Sequence, residues 1–184
     1  MKDFDEMKLA RVIDACGRID GRVKMQKIVY LLKAIGYDLP YDDFTIRQQG
    51  PFSRAVACDT DVLKGVIIEE ESKELGKNEH GEPVRQYSYT VRKPIAPLIR
   101  EHFDVAAPPG KPGIAMLARR LRDCDRGVLE VAATKVYLRR EGKLAGAELD
   151  AELQRLKGHL GDRFNDADAL LAELELGPCA SGGP

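Results

Sequence analysis

The sequence predicts a mainly α-helical protein with a small β-hairpin: a winged helix-turn-helix-like N-terminal half followed by a helical bundle. Three observations carry this. In the stretch 21–53, GRVKMQKIVYLLKAIGYDLPYDDFTIRQQGPFS, the residues Met25, Ile28, Val29, Leu32 and Ile35 recur at helical spacing. Farther on, Tyr87, Tyr89 and Val91 alternate with Gln86, Ser88 and Thr90, downstream of Val66-Ile67-Ile68 and a polar turn, which reads as a hairpin. After residue 113 every apolar pattern is helical. The resulting order, helix, helix, strand, helix, hairpin, is that of a winged helix.

The first helix is expected over residues 3–16. Phe4, Met7, Leu9, Ala10, Val12 and Ile13 give it a broad apolar face, and Gly17 can end it. Asp20 or Gly21 caps the second helix, residues 22–35, and Gly36 is a natural C-cap. Residues 37–43 form a polar loop. A short strand follows over 43–49, where Phe44, Ile46 and Gln48 alternate with Thr45, Arg47 and Gln49. Gly50-Pro51 breaks the chain, and Pro51 suits the first turn of a third helix over 51–63. In that reading Gly50, Pro51, Phe52 and Ser53 are a structural corner. Phe52 is expected to be buried against Met25, Val29 and Leu32, and Ser53 to hydrogen-bond backbone around the turn. The hairpin strands fall at 66–73 and 84–92, and a short helix at 94–103.

The chain divides into a winged-helix-like domain, residues 1–104, and a helical region, residues 114–176, packing on it. Between them lies 105–113, VAAPPGKPG, whose prolines and glycines read as a linker or rigid surface loop. Helices are expected over 114–121, 127–140 with Asp125 as cap, 144–160, and a last one capped by Asn165. Residues 177–184, GPCASGGP, read as a disordered tail. Residues 111–143 are basic and 148–175 acidic. These two segments are expected to face each other or solvent within one bundle.

Lysine and arginine number 29 against 30 aspartates and glutamates, so the chain as a whole is not basic. No apolar run approaches the ~18 residues of a membrane span, and MKDFDEMK has no signal-peptide core. A cytoplasmic protein with no membrane partner is expected. Cys16, Cys58, Cys124 and Cys179 are far apart, as are His80, His102 and His159. Neither a metal site nor a disulfide is expected. Phosphate-binding, dinucleotide-binding and nucleophile-elbow motifs are missing, and no histidine lies near Ser53 in sequence. Asp59 and Asp61 would lie on different helical faces. The expectation is a non-enzyme without cofactor.

The motifs Lys24-Met25-Gln26-Lys27-Ile28-Val29-Tyr30-Leu31-Leu32, Phe44, Gly50-Pro51-Phe52-Ser53 and Asp59-Thr60-Asp61-Val62-Leu63 come in this order. With looser matches at Leu129-Glu130-Val131-Ala132-Ala133-Thr134, Leu156-Lys157 and 164–171, they resemble the YwgA-like family of small bacterial and archaeal proteins. The corner is also similar to the Panacea (SocA-like) antitoxin domain, from which the chain departs in its hairpin and longer helical tail. The resemblance implies the fold described above and a regulatory or defence-associated role.

Two functional readings follow. In the first the protein is a DNA-binding regulator of double-stranded DNA. The helix after Gly50-Pro51 would enter the groove, the hairpin would be a wing, and Arg22, Lys24, Lys27 and Arg54 would contact phosphate. In the second the same fold is a protein-interaction module, an antitoxin-like or adaptor subunit, binding a partner protein or a second copy as a homodimer. Asp59, Asp61 and Glu69-Glu70-Glu71 would repel phosphate and sit more easily with the second.

Overall fold

The first helix, α1 (Asp5–Cys16), opens a computed structural model that describes residues 5–176. Phe4, Cys179 and the expected tail at 177–184 lie outside the described residues. Asp5 and Glu6 occupy the first turn of α1, where the helix dipole favours acids, and Leu9, Val12 and Ile13 are buried. After β1 (Ile19–Asp20) comes α2 (Arg22–Ile35), whose residues from Met25 to Leu32 are all buried. A helix buried on every side is a central one. It stops at Gly36, where φ of +112° lets the amide reach the carbonyls of Leu32 and Lys33.

The corner differs from its expected form. β2 (Thr45–Arg47) pairs antiparallel with β3 (Gly50–Phe52), and only Gln48 and Gln49 lie between the paired Arg47 and Gly50. Gly50-Pro51 is therefore inside a second strand, not at a helix start. A two-stranded hairpin has only edges, so a proline without an N–H is tolerated opposite Ile46. The helix α3 (Arg54–Leu63) begins three residues later than expected, because Ser53 supplies its cap.

The expected hairpin is present as β4 (Ile68–Lys77) and β5 (Pro83–Val91), with a bulge between Glu74 and Gly76. β1 adds to its other edge through Ile19↔Tyr89, giving the antiparallel order β1-β5-β4. The protein is thus mainly helical with small antiparallel sheets. α4 (Ala96–His102) follows.

The 105–113 stretch is tied down instead of hanging free between two halves. Val105 is buried, the Asp38 amide donates to Ala106 O at 3.1 Å, and the Tyr37 hydroxyl donates to Pro112 O. Lys111 reaches the far end of the chain, at Leu174 O and Glu175 Oε2. Four further helices, α5 (Ile114–Arg122), α6 (Arg126–Arg140), α7 (Gly146–Lys157) and α8 (Phe164–Glu173), complete the described residues. Asp125 caps α6 as expected, accepting from Gly127 and Val128 amides. α7 is shorter than expected, because a 3-10 turn over Gly158–Arg163 separates it from α8. α8 grows directly out of that turn, so Asn165 lies inside its first turn and caps nothing.

One apolar core joins Leu9 of α1, Ile28 of α2, Leu129 of α6 and Leu171 of α8. The basic and acidic C-terminal segments do face each other: Arg120 grips Glu173 with two hydrogen bonds of 2.7 and 2.8 Å, and Lys135 meets Asp168 at 2.7 Å. Among the described residues no helix is long and apolar enough to cross a membrane.

Candidate functional site at the glycine-proline corner

The short β2–β3 hairpin has few ladder bonds of its own, so side chains from distant helices must satisfy its backbone. Gln26 does this twice. Its Nε2 donates to Ser53 O at 3.0 Å and its Oε1 accepts from Ser53 N at 2.9 Å. Its neighbour Lys27 donates from Nζ to Pro51 O at 2.6 Å. From the other side Lys157, at the end of α7, donates to Gln48 O and to Glu130 Oε1, both at 2.6 Å. Lys157 and Glu130 are 1% and 7% exposed at their side chains, so this is a buried ion pair.

Gly50 is required where it stands. Its φ is +87°, and a Cβ there would lie 2.6 Å from Thr134 Oγ1 and 3.3 Å from Lys27 Cε. The strand therefore presses directly on α6.

Ser53 is the cap of α3. Its Oγ accepts from the Val56 amide at 3.0 Å and donates to Asp43 Oδ1 at 2.5 Å, while Asp43 Oδ2 accepts from the Ala55 amide at 2.9 Å. Burial alone would raise the Asp43 carboxyl. The bonds from Ser53 and from the Ala55 and Arg54 amides outweigh it and hold the carboxyl below its usual range. The Ser53 hydroxyl is thus engaged in holding a helix start.

The expected phosphate contacts do not form one exposed patch. Lys27 is corrected outright: it is 2% exposed, with its ammonium turned to Pro51 O, because α2 has no solvent face at that turn. Burial lowers its pKa to about 8. Glu130 opposes that shift, and Lys157 and Arg126 add to it. Arg22 is exposed but occupied, donating to the Tyr89 hydroxyl at 2.9 Å, Asp61 at 3.3 Å and Glu70 at 3.4 Å. Lys24 is half-buried and acts on Cys16 and Asp123, on the α1 and α5 side. Arg54 is exposed on the first turn of α3.

Phe52 is half-buried instead of core. As a strand residue opposite Thr45 it sits at the open end of the hairpin, and the Arg47 guanidinium lies 5.4 Å from its ring centre. Together with Met25 it lines a cavity of about 400 Å³ between α2, the hairpin and α3. A second cavity, about 410 Å³, lies across the Gln48-Gln49 turn, beside Arg126, Glu130 and His159.

Glu130, Thr134 and Lys157 were not expected at the corner. The one signal was a glutamate inside the apolar run Val128–Val136, a charge that an interior helix carries only when paired. Cys16 and Cys124 are buried thiols, and burial raises the first to about 12. No cluster of three or more His, Cys, Asp and Glu suited to a metal ion occurs among the described residues. No protein-family model matches the chain, and no match is found among curated proteins.

Proposed function

We propose that the protein is a non-enzymatic regulatory module that binds a partner protein through α3 and the β4–β5 hairpin. The element order α1, β1, α2, β2, β3, α3, β4, β5 and the sheet order β1-β5-β4 support a winged-helix reading of this half, with the β2–β3 hairpin inserted before α3 and α3 in the place of a recognition helix. The proposed YwgA-like membership and the likeness of the corner to the Panacea antitoxin domain point the same way, toward an antitoxin-like or adaptor subunit.

The observation that carries the choice of a protein partner is the surface beside α3. Val62 near the end of α3 and Val66 just after it are 66% and 63% exposed, and β4, which follows, carries the exposed acids Glu69, Glu71 and Glu74. Two exposed valines on an otherwise charged face fit an apolar patch on a protein surface. Changing both Val62 and Val66 to Asp is the test. A partner captured from the native cell extract by wild type should be lost by the double variant, with the fold unchanged by circular dichroism. An identical set of captured proteins would refute the assignment of this face.

A second reading, duplex DNA binding, draws on one observation: Arg54 stands exposed at the start of α3. Glu69, Glu71 and Glu74 on the wing oppose it. Salt dependence of duplex binding separates the two readings.

A further inference from the structure

We infer that the cavity between α2, the β2–β3 hairpin and α3 is a binding site for a small carboxylic acid carried on an apolar body. This does not rest on the protein-partner reading, since the cavity and the Val62–Val66 face are different places.

Size is the first argument. The volume, about 400 Å³, falls in the range of small-molecule sites, roughly 300–1,000 Å³. Chemistry is the second. Met25, Phe52 and Ala57 give an apolar wall, and the lining holds three cations, Arg22, Lys27 and Arg47, and no acidic residue; Arg22 is already held by Asp61 and Glu70, which leaves Lys27 and Arg47 for an anion. Such a wall favours an anion with an apolar remainder.

The third argument is the state of Lys27. A protonated ammonium has three N–H donors, and Pro51 O takes one. Glu130, the acid that acts on Lys27, already holds Lys157 at 2.6 Å. Lys27 is therefore a buried cation whose structural bond leaves donors over, in the wall of a cavity without a counter-charge. A carboxylate would supply it through charge-assisted bonds. Arg47, exposed over the Phe52 ring at the rim, can reach an anion while keeping its place against that ring. The neighbouring Thr60 hydroxyl is committed to Val56 O at 2.7 Å.

Protonation of Lys27 should then be linked to binding. Its free-state value of about 8 is set by burial against Glu130, Lys157 and Arg126, with Arg22 and Arg47 on the cavity side. A bound carboxylate favours the charged amine. Affinity should fall as pH rises above that value, by up to about tenfold per pH unit.

The test uses the full chain and 3-phenylpropionate as probe, with 3-phenylpropanol as its uncharged counterpart, in calorimetric and NMR titrations. The acid should bind saturably, and the alcohol about tenfold or more weaker, the difference expected for charged hydrogen bonds. Amide shifts should concentrate at Gly50, Phe52, Ala57 and Thr60. Ala57→Phe, which fills the cavity and leaves Lys27 in place, should abolish binding, and Arg47→Gln should weaken it severalfold. Where Lys27→Met folds, it should erase the preference for acid over alcohol. No saturable binding, equal binding of the alcohol, or full binding by Ala57→Phe would overturn the inference. So would a peptide ending in Phe that binds where the free acid does not, since the site would then belong to a chain terminus.

Discussion

Gln26 and Ser53 bind each other twice: the Gln26 amide donates to Ser53 O and accepts from Ser53 N, at 3.0 and 2.9 Å, with both residues buried. One side chain thus stands in for a neighbouring strand. Gln26→Ala would leave two buried backbone groups unpaired, at a cost of about 1–3 kcal/mol each. Urea denaturation should show a midpoint well below wild type. An unchanged midpoint would mean that water replaces the amide without loss.

Gly50 should tolerate no side chain. Gly50→Ala combines a left-handed backbone, worth ~1–2 kcal/mol, with overpacking of ~1–3 kcal/mol against Thr134. Thr134→Ala removes the closest atom and should recover the second part only. A double-mutant cycle by thermal denaturation measures this. Full additivity would show that Gly50 and Thr134 do not press on each other.

The Lys157–Glu130 pair offers a sharper contrast. Lys157→Met leaves a buried carboxylate without its partner and should cost about 3–5 kcal/mol. Combining it with Glu130→Gln should restore most of that, because the remaining groups are neutral. If the double variant is as unstable as the single, the bond from Lys157 to Gln48 O matters more than the ion pair.

Lys27 gives a pH dependence of defined sign. Its folded-state value, about 8, lies below the ordinary 10.5, so between these pH values the unfolded chain binds more protons than the folded one. Stability contributed by this group therefore rises as pH climbs from 8 toward 10.5, and is constant below 8, where both states are charged. Subtracting the stability profile of Lys27→Met from that of wild type should leave this rise. A flat difference would place the Lys27 titration at its ordinary value.

The parts of the fold that could be read in advance are those whose information is local. α1, α2 and α6 announce themselves by apolar spacing, and Gly36 and Asp125 by cap chemistry. β1 is two residues long and exists only because Ile19 pairs with Tyr89. β3 was hidden because glycine and proline read as breakers, whereas here one wedges under Thr134 and the other sits on an edge. At the site, the corner motif was legible but its partners were not, since Lys157 and Gln48 are 109 residues apart. Sequence alone places Lys27 at the surface, because lysine is seldom interior. Its place in a helix buried on all sides decided otherwise.

In the proposed function, the face formed by α3 and β4–β5 meets protein and not nucleic acid. Titration of a labelled duplex with wild type and Arg54→Ala at about 50 and about 200 mM salt tests this. No saturable binding is expected at either concentration, and no difference between the two proteins. Tight binding at the lower salt that falls steeply at the higher, with a flatter slope for Arg54→Ala, would contradict it and establish phosphate contacts on this face.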